Sequence, residues 1–383
     1  MCTCTLMLCA CTQSMCVFLF LFKKLFFRAV NTKNIGIKDI ARLAGVSRGT
    51  VDRVLHNRGR VSKDSVQKVM KVMDEIEYKP NLIARSLGSN KKYRIIALIP
   101  DPASDPYWAQ SNQGIIQAQT EWSHYGIIIE PYHFDQYNKG SYKKRIQDAL
   151  TTRVDGIVTA PIFYDEALLV FELLNKGGIP YVLFNTNIPE AHPLSFIGQD
   201  LFHSGQVGAE LLYLGQHTGG KLVVLHIDED IHNSLHLLEK ERGFRDYFKQ
   251  KEKLRFEINE FNLSPMDPLF SNQFNDLLND DLLRGIFVST SKGTSVVASF
   301  LQKHGKNDIR LVGYDMLDEN LKYLRSGIID FLINQNPKRQ ASLSVSHLVN
   351  HLMFKKKAPD MDLFPLEVIT RQNLDSYLSS GIH

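Results

Sequence analysis

Cysteine is nearly absent from this chain. All five residues (Cys2, Cys4, Cys9, Cys11 and Cys16) fall within the first 16 of 383 positions. Disulfides therefore cannot staple the body, and thiolate zinc sites are excluded from it. Also lacking is an apolar run of the ~20 residues that a membrane span needs. The greasiest stretch, Val17-Phe18-Leu19-Phe20-Leu21-Phe22, is followed rather than preceded by Lys23, Lys24 and Arg28, the reverse of a cleaved export signal. Residues 1–32 are expected to be a disordered or mis-started leader, with a weak membrane contact as the alternative. Even an inserted leader would leave the following domain in the cytoplasm, so no stable membrane association is expected. No GxGxxG or Walker loop occurs, which argues against nucleotide binding. The lack of a Gly-x-Ser-x-Gly elbow argues against a hydrolase of that design.

A net charge of large magnitude is missing too: 45 Lys+Arg face 41 Asp+Glu, a balance of +4. Its placement is uneven. Residues 31–94 hold 15 Lys/Arg and 6 Asp/Glu, whereas everything after them holds 27 against 35. A basic head on an acidic body points to a small polyanion-binding module joined to a larger domain.

Three short amphipathic helices are predicted between Ile37 and Glu77. The first presents Ile40, Leu43 and Ala44 and stops at Gly45, the residue type best able to take a positive φ. The second follows the cap Ser47, with Val46 and Val51 placed as a hydrophobic staple. The third repeats the device with Val61, Ser62 and Val66, and its apolar face runs Val66, Val69, Met70, Met73 and Ile76. Two helices joined by Ala44-Gly45-Val46-Ser47 and braced by a third make a helix-turn-helix, whose second helix reads base edges in the major groove. Ser47, Arg48, Gly49, Thr50, Asp52 and Arg53 stand at that end. The arginines suit guanine edges, while Ser47 and Thr50 suit phosphates.

Ile37-Lys38-Asp39-Ile40-Ala41-Arg42-Leu43-Ala44-Gly45-Val46-Ser47, then Thr50-Val51-Asp52-Arg53-Val54-Leu55, closely resembles the headpiece of the LacI/GalR family of bacterial transcriptional regulators. Tyr78-Lys79-Pro80-Asn81 and Ala84-Arg85-Ser86-Leu87 continue the match into the family's hinge helix. The resemblance implies a headpiece over residues 33–80 and a hinge over 81–92 that folds when two copies meet in the minor groove. Asn81, a possible cap, and Arg85 would hold it there, and Leu87 would be the apolar wedge that kinks the duplex. Three departures stand out. Gly36 replaces a usual Thr cap, Gly49 removes a side chain that often reads a base, and Asp52 sits where a small Ser is common.

From Tyr93 onward, short apolar runs alternate with helical segments. Strands are expected at Arg94–Ile99, Gly126–Tyr132, Gly156–Ala160, Pro180–Phe184, Ser195–Gly198, Lys221–Ile227, Arg255–Phe261, Gly285–Val288 and Ile309–Gly313. Helices such as Trp108–Tyr125 and Ser141–Thr152 lie between them. This is a doubly wound parallel α/β pattern in two sets, hence two lobes over residues 93–383. Ligands of such sheets bind beyond the carboxyl ends of the strands. The family resemblance extends here as a periplasmic-binding-protein-like core, with lobe crossings near 198, 334 and 356. Its marks are Asp105-Pro106-Tyr107-Trp108, Gly198-Gln199-Asp200, Val312-Gly313-Tyr314-Asp315 and Asn334-Gln335-Asn336-Pro337. It implies a cleft wall of Asp105, Tyr107, Trp108, Asn185, Thr290, Asp315 and Gln335. Tyr107 and Trp108 would stack on a sugar face, with core packing as their rival role, while Asp105 and Asp315 accept hydroxyl hydrogen bonds. Lys240 occupies the place where related receptors often carry arginine, three residues before Gly243-Phe244, so the hydroxyl pattern recognised would differ.

His226, His232 and His236 with Asp228, Glu229 and Asp230 invite a metal reading, but no HExxH forms and a polar loop is expected after a strand. No metal, cofactor or catalytic residue is expected. Taken together, these features predict a cytoplasmic homodimer that binds a near-palindromic duplex operator under control of a small-molecule effector, a sugar or sugar derivative. A repressor is the favoured form. A solute receptor without a transcriptional role is the alternative.

Overall fold

The computed structural model describes residues 36–55, 59, 61–76, 92–229, 233–249, 251 and 255–380. The chain separates into two units, residues 1–89 and 90–383. The leader, and Asn81, Arg85 and Leu87 of the expected hinge, lie outside the described residues.

In the first unit, α1 (Ile37–Ala44), α2 (Arg48–Leu55) and α3 (Lys63–Glu75) follow the expected punctuation. Gly45 ends α1 in the left-handed region at φ 64°, and the amide of Val46 donates to the Ala41 carbonyl. Gly36 has no side chain to cap α1, yet its own amide donates to Asp39 Oδ2 at 3.1 Å, which supplies half of a capping box. Ser47 accepts from the Thr50 amide at 3.1 Å and Ser62 from that of Ser65 at 3.3 Å. Ile40, Ala41, Ala44, Val51 and Val69 form the core. Two expected core residues are not in it: Leu43 and Met70 are about half exposed, at 51% and 49%. At ~100° per residue, Ile37, Ile40, Ala41 and Ala44 share one arc of α1 and Leu43 falls outside it. Met70 is displaced in the same way from the arc centred on Val69.

The second unit holds two six-stranded sheets. The first is built from β1 (Tyr93–Pro100), β2 (Ile127–Phe134), β3 (Gly156–Thr159), β4 (Tyr181–Phe184), β5 (Ser195–Gly198) and β11 (Met361–Leu363). Its order is β11-β5-β4-β3-β1-β2, and every pair is parallel. The second contains β6 (Gly220–Ile227), β7 (Phe256–Leu263), β8 (Leu283–Val288), β9 (Arg310–Tyr314), β10 (Phe331–Asn334) and β12 (Glu367–Ile369). Its order is β12-β10-β9-β8-β6-β7, parallel except for β12. β1 and β6 each bury six consecutive residues, as strands covered on both faces must.

The covering helices are α4 (Pro106–Trp122), α5 (Lys139–Ala149), α6 (Tyr164–Lys176) and α12 (Pro337–Phe354) on the first sheet. On the second they are α7 (Leu201–Tyr213), α8 (Leu235–Lys249), α9 (Phe270–Leu278), α10 (Ser291–Lys303), α11 (Asp318–Ser326) and α13 (Leu374–Ser379). Although late in sequence, α12 gives Ala341, Val345, Leu348 and Val349 to the first lobe's core. The chain crosses between lobes after β5, between β10 and α12, and between β11 and β12. The third crossing therefore lies after Leu363 rather than near residue 356, because β11 first pairs with β5 (Phe196 opposite Met361).

The close approach of α7 and α8 fixes the second lobe's cleft edge. A Cβ on Gly205 would stand 1.9 Å from the Lys240 carbonyl oxygen, and one on Gly243 1.8 Å from that of Phe202. Both obstacles are backbone, so the helices themselves must part. Gly243→Ala is expected to destabilise the protein by about 3 kcal/mol, at the upper end of ordinary overpacking. An unchanged urea midpoint would show that the two helices separate freely.

Candidate functional site

Two sites are assembled, one in each unit. At the start of α2, Ser47, Arg48, Gly49 and Arg53 are exposed, while Thr50 and Asp52 are half-buried. Ser47 Oγ accepts the Thr50 amide and lies 2.9 Å from Thr50 Oγ1, so both hydroxyls are organised by capping. A Cβ on Gly49 would meet nothing nearer than Ser47 Oγ at 3.8 Å. The missing side chain thus leaves open room. The face offers two exposed arginines on a short capped helix, suited to planar acceptor edges or phosphates.

The second site lies between the two lobes, beyond the carboxyl ends of β1, β4, β6, β8 and β9. Asp105 caps α4, accepting from the Tyr107 amide at 2.8 Å. Tyr107 and Trp108 follow in the first turn as a T-shaped pair, 4.8 Å between ring centres. Asn185, just after β4, adopts φ 67°, a conformation its short polar side chain tolerates. Its Nδ2 donates to the Tyr107 hydroxyl at 2.7 Å. From the other lobe, the Lys240 ammonium donates to the Ser289 carbonyl at 2.9 Å and sits 3.7 Å above the Tyr314 ring. Thr290 precedes α10, and Gln335 stands at the second crossing.

Asp105, Tyr107, Trp108, Asn185, Lys240, Thr290 and Gln335 line one cavity of about 30 Å³. An adjoining cavity of about 180 Å³ shares Trp108 and Glu229 with it. Both are well below the roughly 300–1,000 Å³ of ordinary ligand sites, so the lobes stand in a closed arrangement. Contacts across the cleft hold it shut. Tyr137 donates to Asp228 Oδ2 at 2.8 Å, and Asn233 bonds both the Asp165 amide (3.0 Å) and Glu166 (2.8 Å).

Asp315 is placed differently from the other seven. It is fully buried behind the wall, at φ 62°. Its carboxylate accepts from the Ser291 hydroxyl and from both the backbone amide and Nε2 of Gln335, each of the latter at 2.7 Å. Asp315 therefore orients wall residues in this arrangement. The aromatics combine both expected roles: Tyr107 and Trp108 line the cavity and also belong to the first lobe's core. The indole nitrogen of Trp108 donates to Gln136 at 3.0 Å.

Burial shifts the charges. It pushes the Asp105 carboxyl up to about 6, against the pull of the Tyr107 amide. It lowers the Lys240 ammonium to about 8, although the Asp315 and Glu229 charges oppose it. Asp315 is raised by burial despite its hydrogen bonds.

Sequence reasoning missed Glu229 and His236, which also line the cavity. His236 Nε2 bonds Glu229 Oε2 at 2.8 Å. Burial pushes Glu229 up, but the His236 and Lys240 charges outweigh it and hold the carboxyl below its usual range. These residues sat inside the histidine-rich stretch read as a polar loop. The position of Glu229 just past the end of β6, like that of Asp105 past β1, was the available signal. His232 lies outside the described residues. Elsewhere, His226, Glu241 and Glu260 bring ligand-capable atoms within 4.8 Å of one another. Both His226 nitrogens are already engaged, by Ser289 Oγ (2.8 Å) and Glu241 (3.3 Å). Arg245, bonded to Glu241 and 3.5 Å from Glu260, already supplies the cation.

Comparison with known proteins bears on both sites. Residues 36–81 match the model of bacterial regulatory proteins of the lacI family, and residues 96–356 match a periplasmic binding protein domain. Catabolite control protein A of Staphylococcus aureus is 31% identical over 158 residues, 41% of this chain and 46% of that protein. The HTH-type transcriptional regulator DegA of Bacillus subtilis is 32% identical over 184 residues, 48% and 52% of the two chains. The match thus spans about half the length of these relatives. Among solved structures, a Bacteroides fragilis chain assigned to the LacI transcriptional regulators superposes with TM-score 0.70 at 29% identity, covering 75% of this chain and 100% of its own. GanP, a glucose-galactose binding protein from Geobacillus stearothermophilus, shares the fold at TM-score 0.66 and 20% identity, covering 74% of this chain and 99% of its own. No helix among the described residues is long and apolar enough to cross a membrane.

Proposed function

We propose that this chain, which belongs to the LacI family of bacterial regulatory proteins and carries that family's periplasmic-binding-protein core, is a sequence-specific DNA-binding regulator of transcription. A small molecule, a sugar or sugar derivative, controls its operator affinity from the cleft, and the working form is a cytoplasmic homodimer on a near-palindromic site. The observation that carries this reading is the joint presence of a capped helix with exposed Arg48 and Arg53 and a two-lobed cleft lined by polar side chains. The mechanism is linkage. Effector binding changes the relative pose of the lobes, and because coupling is reciprocal, operator binding must change effector affinity by the same factor.

Gel-shift titration against fragments of the source genome tests the first half. Salt-sensitive binding to a subset of duplex fragments is expected, and sequence-indifferent or absent binding would refute it. The fold neighbours that bind sugars keep the solute-receptor reading alive, but a receptor has no use for the headpiece. We further propose binding without turnover. In support, the two carboxylates that line the cavity are not a free acid–base pair: Asp105 accepts from the Tyr107 amide and Glu229 is bonded to His236, while Asp315 behind the wall is engaged by Ser291 and Gln335.

A pH dependence follows from Asp105. A ligand hydroxyl donating to it needs the ionised form, and the carboxyl titrates near 6 in surroundings that also contain Glu229, Asp315 and Lys292. Below that pH the proton competes with the ligand. Apparent affinity should therefore rise about tenfold from pH 5 to pH 7 and level off above, where Lys240 remains charged up to about 8. Calorimetric titration across this range checks it, and Asp105→Asn should flatten the profile. A flat wild-type profile would remove Asp105 from ligand contact.

A further inference from the structure

We infer that Glu229, acting with Asp105, makes the cleft a selector for hydrogen-bond donors: it takes an unphosphorylated polyhydroxylated ligand, neutral or bearing an ammonium group, and rejects the phosphate ester of the same ligand. The inference deepens the effector-site reading above and rests on it.

The charge inventory carries it. Asp105 and Glu229 face the cavity from opposite lobes, and Asp315 lies directly behind the wall. Against these three carboxylates stands one ammonium, Lys240, already hydrogen-bonded to the Ser289 carbonyl and packed on Tyr314. His236 is engaged with Glu229: because a carboxylate only accepts, its Nε2–H donates to Glu229 Oε2 at 2.8 Å. Two facing carboxylates are acceptors that seek donors. Ligand hydroxyls or an ammonium supply them; a phosphate brings only acceptors and two negative charges into an acidic space.

The neighbouring cations offer a phosphate little more. Lys139 lines the adjoining cavity together with Asp228 and Glu229. Lys292 reaches toward the Ser104 carbonyl at 3.4 Å. Beyond His236, a cavity of about 520 Å³ contains Arg242 and His203, but these are paired with Glu239 (2.6 Å) and Asp200 (2.8 Å).

Isothermal titration of the full chain with matched sets tests the inference: D-glucose, D-glucosamine and D-glucose 6-phosphate, with D-ribose and D-ribose 5-phosphate as a second set. At least one parent or amino sugar should bind, and its phosphate ester at least tenfold more weakly. Glu229→Gln should narrow that ratio about tenfold. A phosphate ester that binds as tightly as its parent overturns the inference and leaves the sugar-sensor reading standing. If no member of either set binds, both fall. A ratio unchanged in a folded Glu229→Gln protein overturns the role given to Glu229. Should that variant fail to fold by circular dichroism, the wild-type ratio alone decides the selector.

Discussion

An Arg48→Ala chain is expected to bind its operator about ten- to a hundredfold more weakly while its affinity for unrelated duplex changes little. Arg48 opens α2 directly after the Ser47 cap and is exposed. Among the described residues, no hydrogen bond or ion pair need be broken to free its guanidinium for a base edge. A bidentate grip on guanine contributes ~1–3 kcal/mol of discrimination, which is the expected loss. Fluorescence anisotropy with a selected fragment and a scrambled one, at two salt concentrations, separates two kinds of contact. Loss confined to the selected fragment marks base reading. An equal loss on both, with the salt slope reduced by about 1, would reassign Arg48 to a phosphate. Arg48→Lys should recover the phosphate role but not the base role.

The headpiece was legible in detail because its instructions are local. Gly45, Ser47 and Ser62 each act within four residues, and each takes the turn or cap its side chain allows. What the sequence concealed was which side of each helix faces inward. Leu43 is as apolar as Ile40, but only three-dimensional packing of α1 on α3 selects the arc that excludes it. Gly36 shows the converse: a poor cap by type, compensated by Asp39 reaching back to its amide.

In the core, the central parallel strands were legible as uninterrupted apolar runs, and β5 occupies its expected bounds, Ser195–Gly198. β2 and β7 run on to Phe134 and Leu263, past the expected Tyr132 and Phe261. They are edge strands of mixed burial, so pairing rather than hydrophobicity sets their ends. β11 and β12 are three residues each and owe their existence to partners far away in sequence, which no periodicity records. The cleft divides similarly. Asp105, Asn185 and Thr290 were placed on the wall by the family resemblance, and each follows a strand end. Glu229 and His236 reach the cavity only through the loop after β6 and the first turn of α8. Their stretch of the chain reads as a polar loop after a strand rather than as an acceptor wall.

Asp315→Asn is expected to abolish most of the effector response while leaving operator affinity nearly intact. Asn suits the site's backbone, since φ 62° is tolerated by its side chain but strained by about 1 kcal/mol for alanine. The substitution keeps the shape and one acceptor oxygen. It cannot serve Ser291 Oγ, the Gln335 amide and Gln335 Nε2 together, and its NH2 group is set against donors. Gln335 and Ser291, both on the cavity wall, then lose their fixed orientation, and Lys240 loses the charge that most helps to keep it protonated. A tenfold or greater weakening of ligand binding is the expected reading. Asp315→Ala goes further: three donors are left in a dry interior at about 1–3 kcal/mol each, partly offset by relief of a buried carboxylate, for a net loss of about 3 kcal/mol. Comparing the two variants separates sensing from folding. If Asp315→Asn keeps both the wild-type melting temperature and wild-type ligand affinity, the cleft does not depend on the frame behind it. If it melts early yet still responds to ligand, Asp315 belongs to the fold alone.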